Sequence, residues 1–181
     1  MATETRSSDS DRPPWVQGGP VLSSVEGFVK IGDFEGPAED SKHQGWSVLL
    51  GLCVSVARTT GSFITSGQQV GSTQVGHVIV AKRCDGATPK TFKHCATGQK
   101  IPKVQIHICS EIAGKPQVTT EIELSDVQVA RNEIGGAAGL PAEEQMELVG
   151  FAFGKIAWTF NKMDSQAASQ GKVSESYTVG S

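Results

Sequence analysis

Two short segments of the sequence carry side chains that bind metals. His94 and Cys95 are adjacent and His107 is followed by Cys109, so the set offers two imidazoles and two thiols. Such ligands suit a tetrahedral zinc ion. The spacing lacks the C-x2-C pair of the strong zinc patterns, and neither a G-x-S-x-G nucleophile motif nor a phosphate-binding P-loop occurs. We therefore expect no metal and no cofactor.

Charge is distributed unevenly along the chain. The stretch 82–103 holds six basic side chains against only Asp85, a net charge of +5, whereas the whole chain, with 16 basic and 19 acidic residues, sums to −3. Such a run commonly forms a solvated surface. The alternative is that it meets an acidic region of another copy of the chain and directs self-association. The candidates are Lys82, Arg83, Lys90, Lys93, Lys100 and Lys103, facing either Asp33, Glu35, Glu39 and Asp40 or Glu121, Glu123 and Asp126.

Composition excludes several classes of protein. A chain of 181 residues suits one domain, and 38% hydrophobic residues are too many for a wholly disordered chain. A net charge of −3 gives no electrostatic basis for binding nucleic acid. The longest apolar run, 48–54, is too short to span a membrane, and the polar segment 1–27 lacks the apolar block of a signal peptide. We expect cytoplasmic synthesis, reduced cysteines and no membrane insertion.

The apolar pattern predicts a mainly β fold with one helix. Val104, Ile106 and Ile108 alternate with polar residues, which is typical of a half-buried strand. Thr88 as N-cap, Pro89 at the first turn and Gly98 after the last turn predict a helix over 89–96. The pattern allows a β-sandwich or a closed barrel. The predicted strands are 28–31, 46–57 with a bend at the glycine in its middle, 75–83, 103–112, 117–130, 146–160 and a terminal edge strand at 173–179.

Two segments are predicted to lie outside the core. Residues 1–27 contain three prolines and few apolar side chains, which favours a mobile N-terminal arm. The segment 58–76 is rich in Gly, Ser, Thr and Gln and is much longer than a hairpin turn. It is either an exposed excursion of no consequence or an arm that contacts a partner.

The order of several short motifs resembles the haemolysin-coregulated protein (Hcp) family, the tube proteins of bacterial type VI secretion systems. The resemblance extends from about residue 28 to residue 179, and no single motif carries it alone. The motifs are the opening 28–36, then Asp40, His43 and Trp46, then Lys82, Asp85, Thr88 and Pro89, then 95–100 and 104–109, and finally 147–149, 156–160 and 172–179.

The resemblance implies a small β-barrel of two packed antiparallel sheets with one flanking α-helix, formed by a single domain over 28–181. It implies a structural role without catalysis: hexameric rings that stack into the tube, carry small effector cargo in the lumen and work with contractile sheath and spike proteins. Such a protein is cytoplasmic when assembled and is secreted through the apparatus without a signal peptide. The charged candidates above would then lie at the ring-stacking contact.

The sequence departs from the family in two places, and other functions remain open. The arm of 27 residues precedes the usual start, and Pro37 follows Gly36 where the family often has an acidic residue. The main alternative is a monomeric β-sandwich binding module that recognises its ligand through 58–76. A small zinc-dependent hydrolase is the third. Ring formation would separate the first alternative from the tube protein, and bound metal would identify the second.

Overall fold

The computed structural model describes residues 23–58, 72–135 and 145–180. These residues form ten strands and one helix. The elements are β1 (Ser23–Ile31), β2 (Ser47–Cys53), β3 (Val56–Arg58), β4 (Thr73–Val75), β5 (Val78–Arg83), α1 (Thr88–Thr97), β6 (Lys100–Ile112), β7 (Lys115–Gly135), β8 (Met146–Ala152), β9 (Lys155–Met163) and β10 (Ser169–Thr178).

Six of the strands close into an antiparallel barrel. The order of the large sheet is β10-β9-β7-β6-β1-β2-β5-β8, and an additional pairing between β7 and β8 closes the six strands from β7 to β8 into a ring. Since closure removes the free edges of the six strands, it satisfies their backbone hydrogen bonds. The mainly β barrel with one flanking helix is confirmed.

The long strand β7 pairs with two different strands, β9 and β8, along one of its edges. Its first half pairs with β9 from Thr120 to Ser125, and its second half pairs with β8 from Gln128 to Gly135. Between the halves Asp126 takes a positive φ of 55°. β9 leaves β7 where the barrel closes, and among the described residues β10 pairs only with β9. These two strands therefore extend beyond the barrel as a two-stranded ribbon, here called the β9–β10 ribbon.

The core lies inside the barrel and follows the predicted alternation. Val104 and Ile106 of β6 and Ile122 and Leu124 of β7 are at most 1% exposed, as the sequence pattern predicted. The same pattern places Val78 of β5 in the core. Burying such side chains contributes about 1.5–3 kcal/mol each.

Four element predictions needed correction. The predicted strand 75–83 begins only at Val78, because Val75 belongs to β4 and pairs with Val56. The predicted strand 46–57 ends at Cys53, and Val56–Arg58 instead pairs with β4 in a separate two-stranded sheet. The predicted strand 146–160 is two strands, because the chain turns at Gly154, whose N–H donates to the Ser125 carbonyl. The helix N-cap is Ala87 rather than Thr88, whereas the predicted C-terminal Gly98 is left-handed with φ 68°.

The N-terminal boundary differs slightly from the predicted one. β1 begins at Ser23, which pairs with Leu52 of β2, so the last five residues of the predicted arm 1–27 belong to the barrel. The arm itself, up to residue 22, lies outside the described residues and stays a prediction.

Candidate functional site: assembly surfaces and two buried polar clusters

The predicted stacking residue Lys82 lies inside the protein. Its Nζ is 2.6 Å from Glu147 Oε2 and donates to Asp85 Oδ1 at 2.8 Å and to Thr88 Oγ1 at 3.2 Å. The Thr88 hydroxyl donates to Glu147 Oε2, and Asn132 Nδ2 donates to Glu147 Oε1 at 2.6 Å. Lys82 and Glu147 are fully buried, so their charges are balanced within the chain.

This cluster has two consequences for the sequence predictions. Lys82 is not available for a contact with another copy and leaves the set of stacking candidates. The Thr88 hydroxyl is engaged with Glu147 and Lys82, which explains why it does not cap the helix. The cluster instead ties the start of α1 to β5 and β8.

The other basic candidates lie at the surface. Arg83, Lys90 and Lys93 are exposed. Lys103 Nζ donates to Glu123 Oε2 at 2.9 Å, and Lys100 Nζ is 3.8 Å from Asp126 Oδ1 across the β6–β7 pair.

These ion pairs involve the second set of acidic stacking candidates, Glu121, Glu123 and Asp126. Glu123 and Asp126 already meet basic residues of their own chain, and Glu121 is 3.4 Å from Lys172 Nζ. The acidic alternative at 121–126 therefore contacts this chain's own lysines.

The first acidic set begins next to the basic one. Asp33, Glu35 and Glu39 are exposed on the loop between β1 and β2. A cleft of about 420 Å³ has both Asp33 and Lys100 in its wall, together with Gly32, Phe34, His94, Gln99, Ile101, Pro102, Lys103 and Gln105. Of the candidates, Asp33, Lys100 and Lys103 line this cleft. We name the exposed candidates of the two sets, Asp33, Glu35, Arg83, Lys90, Lys93, Lys100 and Lys103, the mixed-charge surface.

Asp40 belongs to a second polar cluster, on the outer wall of the barrel. Asp40 Oδ1 lies 2.7 Å from His43 Nδ1, and His43 Nε2 lies 2.9 Å from His107 Nδ1. The His43 ring is 2% exposed and stacks on Phe28 at 4.2 Å, and Trp46 packs edge-on against it. The loop after β1 is thus held to β6 by a chain of three side chains.

The surroundings shift the ionisation of this cluster. Burial, and secondarily the neighbouring His43, lower the pKa of His107 below its usual range. The hydrogen bond from His43 lowers the pKa of Asp40. Burial raises the pKa of the Cys109 thiol, which disfavours its reactive thiolate.

The four metal-binding side chains noted in the sequence are not brought together as a set. His107 bonds to His43, whereas the His94 ring lies 4.9 Å from the Phe34 ring at the cleft. In the described part of the chain, no group of three or more His, Cys, Asp or Glu side chains is placed to hold a metal ion. The recognition loop of the binding-module alternative, 58–76, lies mostly outside the described residues.

The β9–β10 ribbon presents an uncovered apolar face. Residues directly opposite each other on paired strands share a face, and Val173 pairs with Phe160 while Tyr177 pairs with Ile156. This face continues the interior face of the barrel, because Trp158 pairs with Ile122 of the core. Exposed fractions along it are 40% for Trp158, 49% for Phe160, 49% for Val173 and 38% for Tyr177. Glu175, which pairs with Trp158, places one charge on this otherwise apolar face.

The opposite face of the ribbon is polar. It carries Thr159, Ser174 and Ser176, with Thr159 and Ser174 hydrogen-bonded at 2.8 Å. Such alternation is normally found in strands with one face buried and one in water. In the described residues the apolar face has no cover.

Comparison with known proteins decides the family. Residues 28–160 match the family described as "Type VI secretion system effector, Hcp". This chain belongs to the Hcp family. The family is one of secreted tube proteins, as the order of the motifs predicted.

Solved structures of Hcp proteins share the fold. A type six secretion system protein superposes with a TM-score of 0.78 at 22% identity, over 86% of this chain and 96% of the other. Hcp1 from Salmonella typhimurium gives 0.67 at 20% identity, over 86% and 95%. Hcp3 from Pseudomonas aeruginosa gives 0.62 at 18% identity, over 87% and 100%. No curated protein sequence matches this Hcp chain.

One further observation concerns membranes. Within the described ranges of this Hcp protein, no helix is both long enough and apolar enough to span a bilayer.

The sequence patterns missed the two polar clusters but contained a signal for one of them. Lys82 has the same parity in β5 as the buried Val78 and Val80, and Glu147 has the same parity in β8 as the buried Val149. A charge at an inward position indicates a buried partner. The bond between His43 and His107 joins residues 64 positions apart, and no sequence spacing reveals it.

Proposed function

We propose that this chain is a structural, non-catalytic subunit of a type VI secretion tube that assembles into hexameric rings. Membership of the Hcp family supports the tube role. The observation that carries the ring is the apolar face of the β9–β10 ribbon, which continues the core side of the sheet beyond the barrel without cover in the described residues.

A ring requires a heterologous contact, in which one surface of a subunit meets a different surface of the next. The ribbon supplies one of these surfaces, since its exposed aromatic and branched side chains gain about 25 cal/mol per Å² when covered. In the part of the chain that the structure describes, its outer strand β10 has β9 as its one strand neighbour, so the other edge of β10 is available for pairing with another chain. The exposed strand β3, with Val56 70% exposed, leads into the segment 58–76 and supports the contact-arm interpretation of that segment.

Stacking uses a different surface of the ring. We place the mixed-charge surface at this contact, where it faces the opposite side of the next ring. The stacked rings carry small effector proteins in their lumen and act with contractile sheath and spike proteins. Assembly takes place in the cytoplasm, and the protein leaves the cell through the apparatus.

Native mass spectrometry combined with electron microscopy of the full chain tests the ring and its interface. The wild type is expected to be hexameric. V173K/Y177K places two lysines on the apolar face and is expected to be monomeric where the wild type is hexameric. S174K/S176K adds the same charges to the opposite face of the same strand and is expected to keep the ring.

The outcomes separate the two parts of the proposal. A wild type that stays monomeric at micromolar concentration would overturn the ring and favour a monomeric binding module. Rings in V173K/Y177K would retain the hexamer but move the interface away from the ribbon.

A further inference from the structure

The loop between β1 and β2, residues 32–46, is fastened to the barrel wall through a bond between two imidazoles. His43 lies at its centre, 2% exposed, between Phe28 and the rings of Trp46 and His107. The loop is tied to itself by backbone bonds, such as that from Ala38 N–H to the Trp46 carbonyl. The start of the loop is held to the barrel independently, by the bond from Gly32 N–H to the Lys103 carbonyl and by Phe34, which is part of the core. The His43–His107 bond links the outer part of the loop to β6.

The number of protons on the two rings decides whether this bond exists. Asp40 accepts the Nδ1–H of His43, which leaves Nε2 of His43 as an acceptor for the Nδ1–H of His107. One added proton preserves the chain, because it enters at His107 Nε2 and leaves the shared bond in place. A second proton occupies His43 Nε2, so that two N–H groups then face each other and the bond is lost.

We propose that Asp40, His43 and His107 form an acid-sensitive latch that holds the outer part of the loop 32–46, from Ala38 to Trp46, on the barrel at neutral pH and releases it when both imidazoles are protonated. Release exposes the apolar rings of Phe28 and Trp46 to water. The latch works within one subunit, so it does not depend on ring formation.

The charged and titratable groups around the latch are mixed in sign. From β7, Glu121 favours the protonated His107, whereas Lys172 of β10 opposes it. Lys30 of β1 donates to the carbonyls of Phe34 and Gly45, both at 3.0 Å, and so holds the base of the loop. The remaining groups are Asp40 and Lys42 on the loop, Glu26 on β1 and Cys109 on β6.

The direction of the pH dependence follows from the lowered pKa of His107. The closed state binds this proton less readily than the open state, where the usual value of ~6.5 applies. Opening therefore takes up protons as the pH falls below that value, and the closed state loses stability there. Because the shared bond is lost only when both rings carry the extra proton, release is a property of the pair and not of one ring.

Hydrogen exchange measured by mass spectrometry on the full chain tests the latch. The exchange rates of wild-type peptides from 32–46 are measured between pH 7.5 and 5.0 and corrected for intrinsic exchange. The opening equilibrium constant of the segment should rise by up to about tenfold per pH unit for each proton that opening takes up. Peptides from β6 and β7 should not change. H107N retains an amide that donates to or accepts from His43 Nε2 and does not titrate, so its loop should stay closed. H77Q, at an exposed histidine, should behave as the wild type.

A second measurement uses the wild-type chain, so its result does not depend on whether H107N folds. Nitrogen spectra of the full chain with 15N-labelled histidine should show protonated Nδ1 on both His43 and His107 at pH 7.5, with their mutual bond lost at pH 5.0. The latch is overturned if the wild-type loop keeps its protection at pH 5.0, if H107N opens as much as the wild type, or if the two rings remain bonded at that pH.

Discussion

Lys82 Nζ lies 2.6 Å from Glu147 Oε2, and both side chains are fully buried. The pair joins β5 to β8, the strand that closes the barrel by pairing with β7. Thr88, in the first turn of α1, and Asp85, just before it, belong to the same cluster. The cluster therefore fixes the start of the helix to the wall of the barrel.

Removing the charge of Lys82 should therefore be costly. K82M leaves Glu147 and Asp85 buried with an uncompensated charge and is expected to lower the free energy of unfolding by about 3–5 kcal/mol. Denaturant titration at one fixed protein concentration measures this change. The matched control is K103M, which breaks the half-exposed pair with Glu123 and should cost less than about 1 kcal/mol. Equal losses in the two variants would contradict the structural role of Lys82.

Gly27 lies where β1 is irregular and β6 passes closely. A Cβ at this position would press directly on the carbonyl oxygen of His107, a backbone atom that cannot move aside. G27A should lower the free energy of unfolding by about 1–3 kcal/mol, as overpacking does. E26A, at the exposed neighbouring position, should change it by less than about 0.5 kcal/mol. Thermal melts compare the stability of the two variants. Unchanged stability of G27A would show that β1 and β6 can move apart at this position at little cost.

Ring stacking should respond to charge and salt. Single exposed ion pairs contribute only about 0–1 kcal/mol, but six copies around a ring add to a few kcal/mol per junction. K90E/K93E should therefore shorten filaments and leave rings intact, and higher salt should shorten wild-type filaments through screening. K115E/K162E makes the same charge change on exposed positions of β7 and β9 and should have a smaller effect. Electron microscopy across a salt series gives filament length, and stacks that survive both treatments would point to the segments 58–76 and 131–142 instead.

The N-terminal segment should be dispensable for folding. Deleting residues 1–22 is expected to cost less than about 2 kcal/mol, since this segment has too few apolar side chains to form a core. Deleting 1–26 should cost more, because Ser23 and Ser24 pair with Leu52 and Gly51. Denaturant midpoints of the two deletions give the comparison. A larger loss in the shorter deletion would assign the segment a packing role.

The sequence by itself determined which residues face the core and which family the chain resembles. Alternation in β6 and β7 is a local property with a period of two residues, so Val104, Ile106, Ile122 and Leu124 could be placed inside the barrel from their spacing. The glycine that ends the helix was likewise visible, because a left-handed C-cap depends on one residue.

Tertiary structure alone decided the partners of those residues. Closure through β7 and β8, the buried pair of Lys82 and Glu147, and the bond between His43 and His107 all join positions far apart in the chain. Local periodicity carries no information on which strands become neighbours. The charged stretch shows this most clearly: one of its lysines is buried, two pair with acidic residues across β6 and β7, and the rest are exposed. Burial and pairing are set by the closed barrel, since the same charge is stabilised differently in water, on a strand surface and in the core.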